Sequence, residues 1–139
     1  MRHGPVRRAA GVALSFTLAA VAWAGQEPSG RQPYLRYCGA CHGPQAKGDG
    51  VASSFMRPSP PDLTLLAKRH GGEFPMEAVV KTIDGREMPR VHGDPWMPIW
   101  GTILGEVPGR PGTPKPGGEQ HAGETIRAIA EYLRTIQAR

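Results

Sequence analysis

The hydrophobic and polar positions near the end of the chain repeat with the period of an α-helix. Apolar residues recur there at spacings of three and four, with charged residues on the other side. The apolar positions are Ile126, Ile129, Ala130, Leu133 and Ile136, and the charged ones are Arg127, Glu131 and Arg134. This pattern predicts a helix over 124–138. Because no segment shows the strict alternation typical of a strand, the sequence indicates an all-α protein.

Three shorter helices are predicted upstream of that segment. A short apolar stripe indicates a first helix over 32–41. A second helix is expected to begin after Pro61 and to end at the glycine pair 71–72. The third covers 76–83, with Gly85 just beyond its end.

Glycine and proline dominate the segments between the predicted helices. The 19 glycines and 15 prolines make up about a quarter of the 139 residues. Residues 43–50 are predicted to be a loop, and 101–123, the segment richest in both, a flexible surface loop. Only 6 % of the residues are aromatic, so a chain this short builds a thin core. Such a core needs a crosslink, a metal or a bound group to supplement it.

Residues 1–24 have the composition of a secretory signal peptide. Three arginines and no acidic residue accompany a run of apolar or small residues, which ends in an Ala-Trp-Ala sequence. That ending fits the small-x-small pattern of a cleavage site after about Ala24. We therefore expect export to the periplasm and a mature domain of 25–139. The alternative is an uncleaved membrane anchor.

The charge of the chain depends partly on this segment. Its removal takes away three positive charges and lowers the formal net charge from +5 to +2. Downstream there is no cluster of basic residues and no interleaving of aromatic and basic side chains. The sequence therefore predicts no nucleic-acid partner.

The candidate chemistry lies in one pentapeptide. Cys38, Cys41 and His42 form the C-x-x-C-H pattern typical of covalent attachment of a c-type haem, and they include both cysteines of the chain. On a helical turn, positions i, i+3 and i+4 share one face. Both thiols can therefore reach the same edge of a planar ligand, with the imidazole of His42 directed toward its iron.

Other functions of a cysteine pair agree less well with this sequence. A thioredoxin-like redox pair is expected in a βαβ context, and no strand pattern is present. A structural disulfide between these cysteines closes too small a loop to stabilise the fold much. A zinc site needs a fourth ligand, and no H-x₃₋₅-H partner exists in the sequence.

From about residue 30 to 139 the chain resembles the class I cytochrome c family, particularly its small bacterial, periplasmic members. The resemblance rests on the order of the parts: a helix running into C-x-x-C-H, a glycine-rich loop, Pro-x-Leu, a Met-Pro pair and a carboxy-terminal helix that crosses the first. It implies a cytochrome c-like fold of about three to five short helices wrapped around one covalently attached haem, with long loops rich in proline and glycine.

The resemblance also implies roles for individual residues. Cys38 and Cys41 would hold haem c through thioether bonds, and His42 would be the proximal iron ligand. The carbonyl of Pro61 would accept the other ring N–H of that histidine, which fixes its tautomer. Leu63 would pack against the haem. Pro61 has a second explanation, as the rigid first residue of a helix.

Two Met-Pro pairs compete for the distal iron ligand. In both, the proline keeps the methionine out of helical conformation. Met97 is flanked by Trp96, Ile99 and Trp100, which would shield the iron, whereas Met88 has charged neighbours. Met97 is therefore the expected ligand and Met88 the alternative. Trp100 is expected to contact the haem.

The remaining candidate ligands are weaker. Met76 is expected to be a core residue of the third helix. Three histidines are the non-methionine alternatives, and they are His70, His92 and His121. Of these, His92 lies closest in sequence to the expected ligand. Tyr34 and Tyr132 are expected to pack where the first and last helices cross.

These residues together suggest a periplasmic electron carrier and not an enzyme. His/Met ligation fills both axial positions, so no small-molecule substrate binds the iron. Its partners would be redox proteins that dock transiently. The alternative is a haem subunit of a larger respiratory oxidase or periplasmic dehydrogenase, with a membrane-bound complex as the partner. A five-coordinate haem that binds small ligands, and a thiol–disulfide enzyme, are further hypotheses.

Overall fold

The computed structural model describes residues 1, 29–87 and 97–138. Helices dominate these residues, and the β-bridge between Glu106 and Pro114 is an isolated one. The prediction of an all-α protein is therefore confirmed. The α-helices are α1 (Arg31–Tyr37), α2 (Gly39–His42), α3 (Leu66–Arg69), α4 (Met76–Asp84), α5 (Trp100–Gly105) and α6 (Gly118–Thr135), and the 3₁₀ helices cover Ser53–Phe55 and Leu63–Leu65.

The first and last helices cross at close range. A Cβ atom added to Gly30, directly before α1, would overlap the backbone carbonyl of Ala128 in α6. The ring of Tyr34 is fully buried and lies with its centroid 5.2 Å from that of Tyr132. The expected packing of the two tyrosines is thus confirmed. Burial raises the pKa of Tyr34, whose hydroxyl donates a 2.6 Å hydrogen bond to the carbonyl of Gly43.

Helix α6 supplies most of the core. The apolar face predicted from its periodicity is buried at four of the five positions, and the fifth, Ile136, is partly buried and packs against the same core. Helix α4 buries Val79 and Ile83, and α5 buries Leu104. The core therefore lies between α6 and the helices α1, α4 and α5, which contact it.

The prediction of a flexible loop over 101–123 is wrong at both ends. Its first five residues belong to α5, and its last six belong to α6. Leu104 and Ala122 are buried there, so packing between the two helices outweighs the low helix propensity of the glycines around them. The remaining loop is also hydrogen bonded, since Val107 N–H donates to the carbonyl of Thr113 at 2.8 Å and Lys115 N–H to that of Gly105 at 3.0 Å.

The shorter helices follow the predictions more closely. The helix expected over 76–83 is α4, and Gly85 ends it in a left-handed conformation with φ of 71°. The helix expected after Pro61 is a 3₁₀ turn that continues into α3. The helix expected over 32–41 is divided at Cys38 into α1 and α2.

The predicted signal peptide, 1–24, lies outside the described residues apart from Met1. Among the helices that the structure describes, none is both long and apolar enough to cross a membrane.

The helix crossing gives a stability prediction. Replacing Gly30 with alanine should destabilise the protein by about 1–3 kcal/mol, because the added methyl group overlaps the Ala128 carbonyl and must push α1 away from α6. Gly123→Ala is the matched control, since nothing lies within 4 Å of a Cβ atom there. The control should stabilise α6 by about 0.5–1 kcal/mol. Urea unfolding measures both changes, and a Gly30→Ala protein as stable as the wild type contradicts the close crossing.

Candidate functional site

The C-x-x-C-H residues lie on a single helical turn. The N–H of His42 donates to the carbonyl of Cys38 at 2.9 Å, and the N–H of Cys41 donates to the same carbonyl at 3.2 Å. Positions i, i+3 and i+4 of this turn therefore share a face. Neither cysteine forms a disulfide within the described residues. Cys38 is buried, with a pKa raised to about 12 mainly by that burial, while Cys41 and His42 are partly buried.

The ring of His42 is oriented by a backbone carbonyl. Nδ1 lies 3.3 Å from the carbonyl oxygen of Pro61. A carbonyl can only accept, so Nδ1 must carry the proton, and the neutral ring then has its lone pair on Nε2. Burial lowers the pKa of His42, and the Pro61 hydrogen bond opposes this effect. The lowered pKa favours the neutral imidazole with Nε2 as its electron-pair donor, which is the form that binds metals.

The glycine-rich loop after His42 folds back onto the same turn. The carbonyls of Ala40, Cys41 and His42 accept hydrogen bonds of 2.8–3.1 Å from loop N–H groups. The donors are Gly48, Gly50 and Ala52. These bonds satisfy carbonyls that the end of a helix leaves without a partner. The loop therefore fixes the backbone from which the two site side chains Cys41 and His42 project.

One loop glycine brings the next segment close to this turn. Gly48 has φ of 80°, and a Cβ atom there would overlap the carbonyl oxygen of Pro60. The N–H of Leu63 also donates to the carbonyl of Ala46 in the loop at 2.7 Å. The Pro-x-Leu segment thus lies directly against the loop, which places the Pro61 carbonyl beside His42.

Asp62 caps the turn that follows Pro61. Its Oδ1 accepts hydrogen bonds from the N–H of Thr64 at 2.8 Å and from the Thr64 hydroxyl at 2.6 Å. The hydroxyl bond is the main reason that the pKa of Asp62 is lowered. Arg69 donates to the Asp62 carbonyl at 3.2 Å. Sequence analysis did not single out Asp62, although Asp two residues before Thr is a recognisable capping signal.

The other expected site residues pack against one core. Leu63, Met97 and Trp100 are partly buried and contact the core cluster that contains Cys38. The Trp100 ring also lies with its centroid 5.4 Å from that of Tyr37, the residue before Cys38. Sequence analysis missed this aromatic pair because the two residues are far apart in the chain.

The alternative iron ligands pack against the core, are exposed or lie outside the described residues. Met76 packs against the core, as expected. His70 and His121 are exposed, and His70 Nδ1 lies 2.8 Å from the carbonyl of Leu66. Met88, His92 and Trp96 lie outside the described residues.

The described residues contain no group of three or more His, Cys, Asp or Glu side chains placed to hold a metal ion. A haem iron does not require such a group, because its axial ligands number two and one of them can be methionine.

No family model matches the chain, and no match was found among curated proteins or solved structures.

The Asp62 cap gives a pH prediction. Thr64→Val should raise the pKa of the Asp62 carboxyl toward its ordinary value of 3.8, because it removes the hydroxyl that stabilises the charged form. In the wild type the folded pKa is the lower one, so the cap's contribution to stability is complete above the unfolded pKa and is lost as the pH falls through the folded pKa. Carboxyl NMR titration measures the shift. Thr82→Val, which removes a hydroxyl bonded to Ala78 in α4, should leave Asp62 unchanged.

Proposed function

We propose that the protein is a periplasmic c-type cytochrome that carries single electrons through one covalently bound haem. The observation that carries this proposal is the C-x-x-C-H turn whose histidine is held through Nδ1 by the Pro61 carbonyl at 3.3 Å. This arrangement leaves Nε2 of His42 as a neutral ligand on the same helical face as Cys38 and Cys41. The proposal assigns the chain a cytochrome c-like fold.

The donor set fits a haem. Two thiols one turn apart match the two vinyl groups on one edge of a porphyrin, and a neutral imidazole beside them matches the proximal iron position. When bound, the haem supplies one-electron chemistry by cycling between Fe(III) and Fe(II). Met97 is the proposed distal ligand, and its place against the core cluster that includes Cys38 supports this role.

The protein residues tune and protect such a centre. The Pro61 hydrogen bond would increase the basicity of His42 and so favour the oxidised iron of a bound haem. The thioether of Met97 would have the opposite effect and raise the potential. Leu63 and Trp100, which pack against the same core, would exclude water from the group. With both axial positions filled, the iron would bind no small-molecule substrate.

The proposed partners are redox proteins that dock transiently. The charge of +2 expected after removal of 1–24, set against two haem propionates, is close to neutral. Strong electrostatic steering is therefore not expected, and association should depend only weakly on salt.

The first test of this function is the absorption spectrum of protein exported from a host that attaches haem c. The wild type should show a sharp α-band on reduction, and acid–acetone should not extract the haem. Replacing Cys38 and Cys41 with alanine should abolish covalent attachment, because both thioether bonds are lost. A colourless wild-type protein with two titratable thiols would contradict the proposal and favour thiol–disulfide chemistry.

The second test identifies the distal ligand. Met97→Ala should abolish the weak near-infrared band of the Met–iron bond, lower the reduction potential and allow carbon monoxide to bind the reduced protein. Met76→Ala is the matched control, since Met76 packs in the core, and it should keep the band. Loss of the band in Met88→Ala but not in Met97→Ala would overturn the assignment. Carbon monoxide binding to the reduced wild type would favour a five-coordinate haem.

A further inference from the structure

A glutamine beyond the last helix forms hydrogen bonds through both the nitrogen and the oxygen of its side-chain amide. Gln137 lies two residues after α6 and is partly buried. Its Nε2 donates to the carbonyl of Leu63 at 2.9 Å and to that of Leu133 at 2.8 Å. Its Oε1 accepts from the N–H of Ala67 at 2.8 Å. Both donors and the acceptor of the side chain are thus engaged with backbone groups.

These bonds join the end of the chain to the segment that follows Pro61. Leu63 begins the 3₁₀ turn and Ala67 lies in the first turn of α3, so Gln137 spans the junction between them. The N–H of Ala138 adds a bond to the carbonyl of Thr64 at 2.8 Å. The carboxy-terminal residues therefore anchor one edge of this segment at three backbone groups.

The opposite edge of the segment contacts the site. The N–H of Leu63 donates to Ala46 in the loop that follows His42, at 2.7 Å, and the Pro61 carbonyl lies 3.3 Å from His42 Nδ1. The segment is therefore held between the end of the chain and the C-x-x-C-H turn. A loss of the first anchor lets the segment move relative to the second.

We propose that Gln137 is a positioning residue for His42, acting by anchoring the segment 61–67 so that the Pro61 carbonyl orients the imidazole. The effect of this positioning on the iron rests on the proposed function. Weakening the Pro61 hydrogen bond makes His42 a less basic ligand, which disfavours Fe(III). Loss of Gln137 should therefore shift the protein toward the reduced form.

The positioning itself is tested by amide hydrogen exchange, which does not depend on a bound haem. Gln137→Met keeps the length of the side chain and removes all its hydrogen bonds. It should accelerate exchange at the Leu63 N–H by about fivefold or more, although that N–H is bonded to Ala46 and not to Gln137. Gln120→Met is the matched control, since Gln120 is exposed on α6 and its side-chain amide donates to Glu124, and it should leave the exchange unchanged. Unchanged exchange in Gln137→Met overturns the proposal.

The effect on the site is tested by redox titration of the exported haem protein. At a fixed ambient potential, Gln137→Met should raise the ratio of reduced to oxidised protein by about threefold or more over the wild type and the Gln120→Met control. A merely structural role would lower the unfolding temperature and leave this ratio unchanged, and that result overturns the proposal. A wild type without haem would contradict the proposed function, and the exchange experiment would still decide the role of Gln137.

A second variant guards against a Gln137→Met protein that does not fold. Gln137→Glu keeps the acceptor for the Ala67 N–H but places a carboxylate oxygen against the Leu63 carbonyl in place of the donor. It should accelerate exchange at Leu63 and shift the redox ratio in the same direction. Wild-type behaviour of Gln137→Glu in both measurements overturns the proposal, because the bond to Leu63 would then be unnecessary.

Discussion

The contact between His42 Nδ1 and the Pro61 carbonyl is the interaction on which the rest of the site depends. It joins two segments that are 19 residues apart and fixes which ring nitrogen carries the proton. The backbone around it is held from both sides. The loop after His42 returns to the C-x-x-C-H turn, and the segment after Pro61 is bonded both to that loop and to Gln137. These bonds fix the orientation of the imidazole and the position of its proton, while burial favours its neutral form.

The close crossing of α1 and α6 supports this site. Gly30 lets the two backbones approach, and Tyr34 fills the crossing beside Tyr132. The Tyr34 hydroxyl then reaches the Gly43 carbonyl, directly after His42, so the same residue connects the helix crossing to the C-x-x-C-H turn. In a chain with few aromatic side chains, this placement lets one tyrosine serve both the core and the site.

The parts of the structure that the sequence predicted are those with a local signal. The apolar stripe of α6, the helix over 76–83 and the helical turn of Cys38 to His42 follow from spacing that is visible in a short window. The early start of α6 and the existence of α5 do not follow from such spacing. Glycines weaken the helix signal in both segments, and the two helices are stabilised by contact with each other. The bonds from Gln137 to Leu63 and Ala67 could not be predicted either, since these partners lie about 70 residues away. The role of Met97 remains a prediction.

The most direct test is NMR of the His42 ring nitrogens in the reduced haem protein, labelled uniformly with ¹⁵N and ¹³C. We predict a proton on Nδ1, with a scalar coupling across the hydrogen bond to the Pro61 carbonyl carbon, and no proton on Nε2, which would be bound to iron. A proton on Nε2, or a His42 ring that titrates with both nitrogens free, would contradict the account, since no lone pair would then be held for the metal.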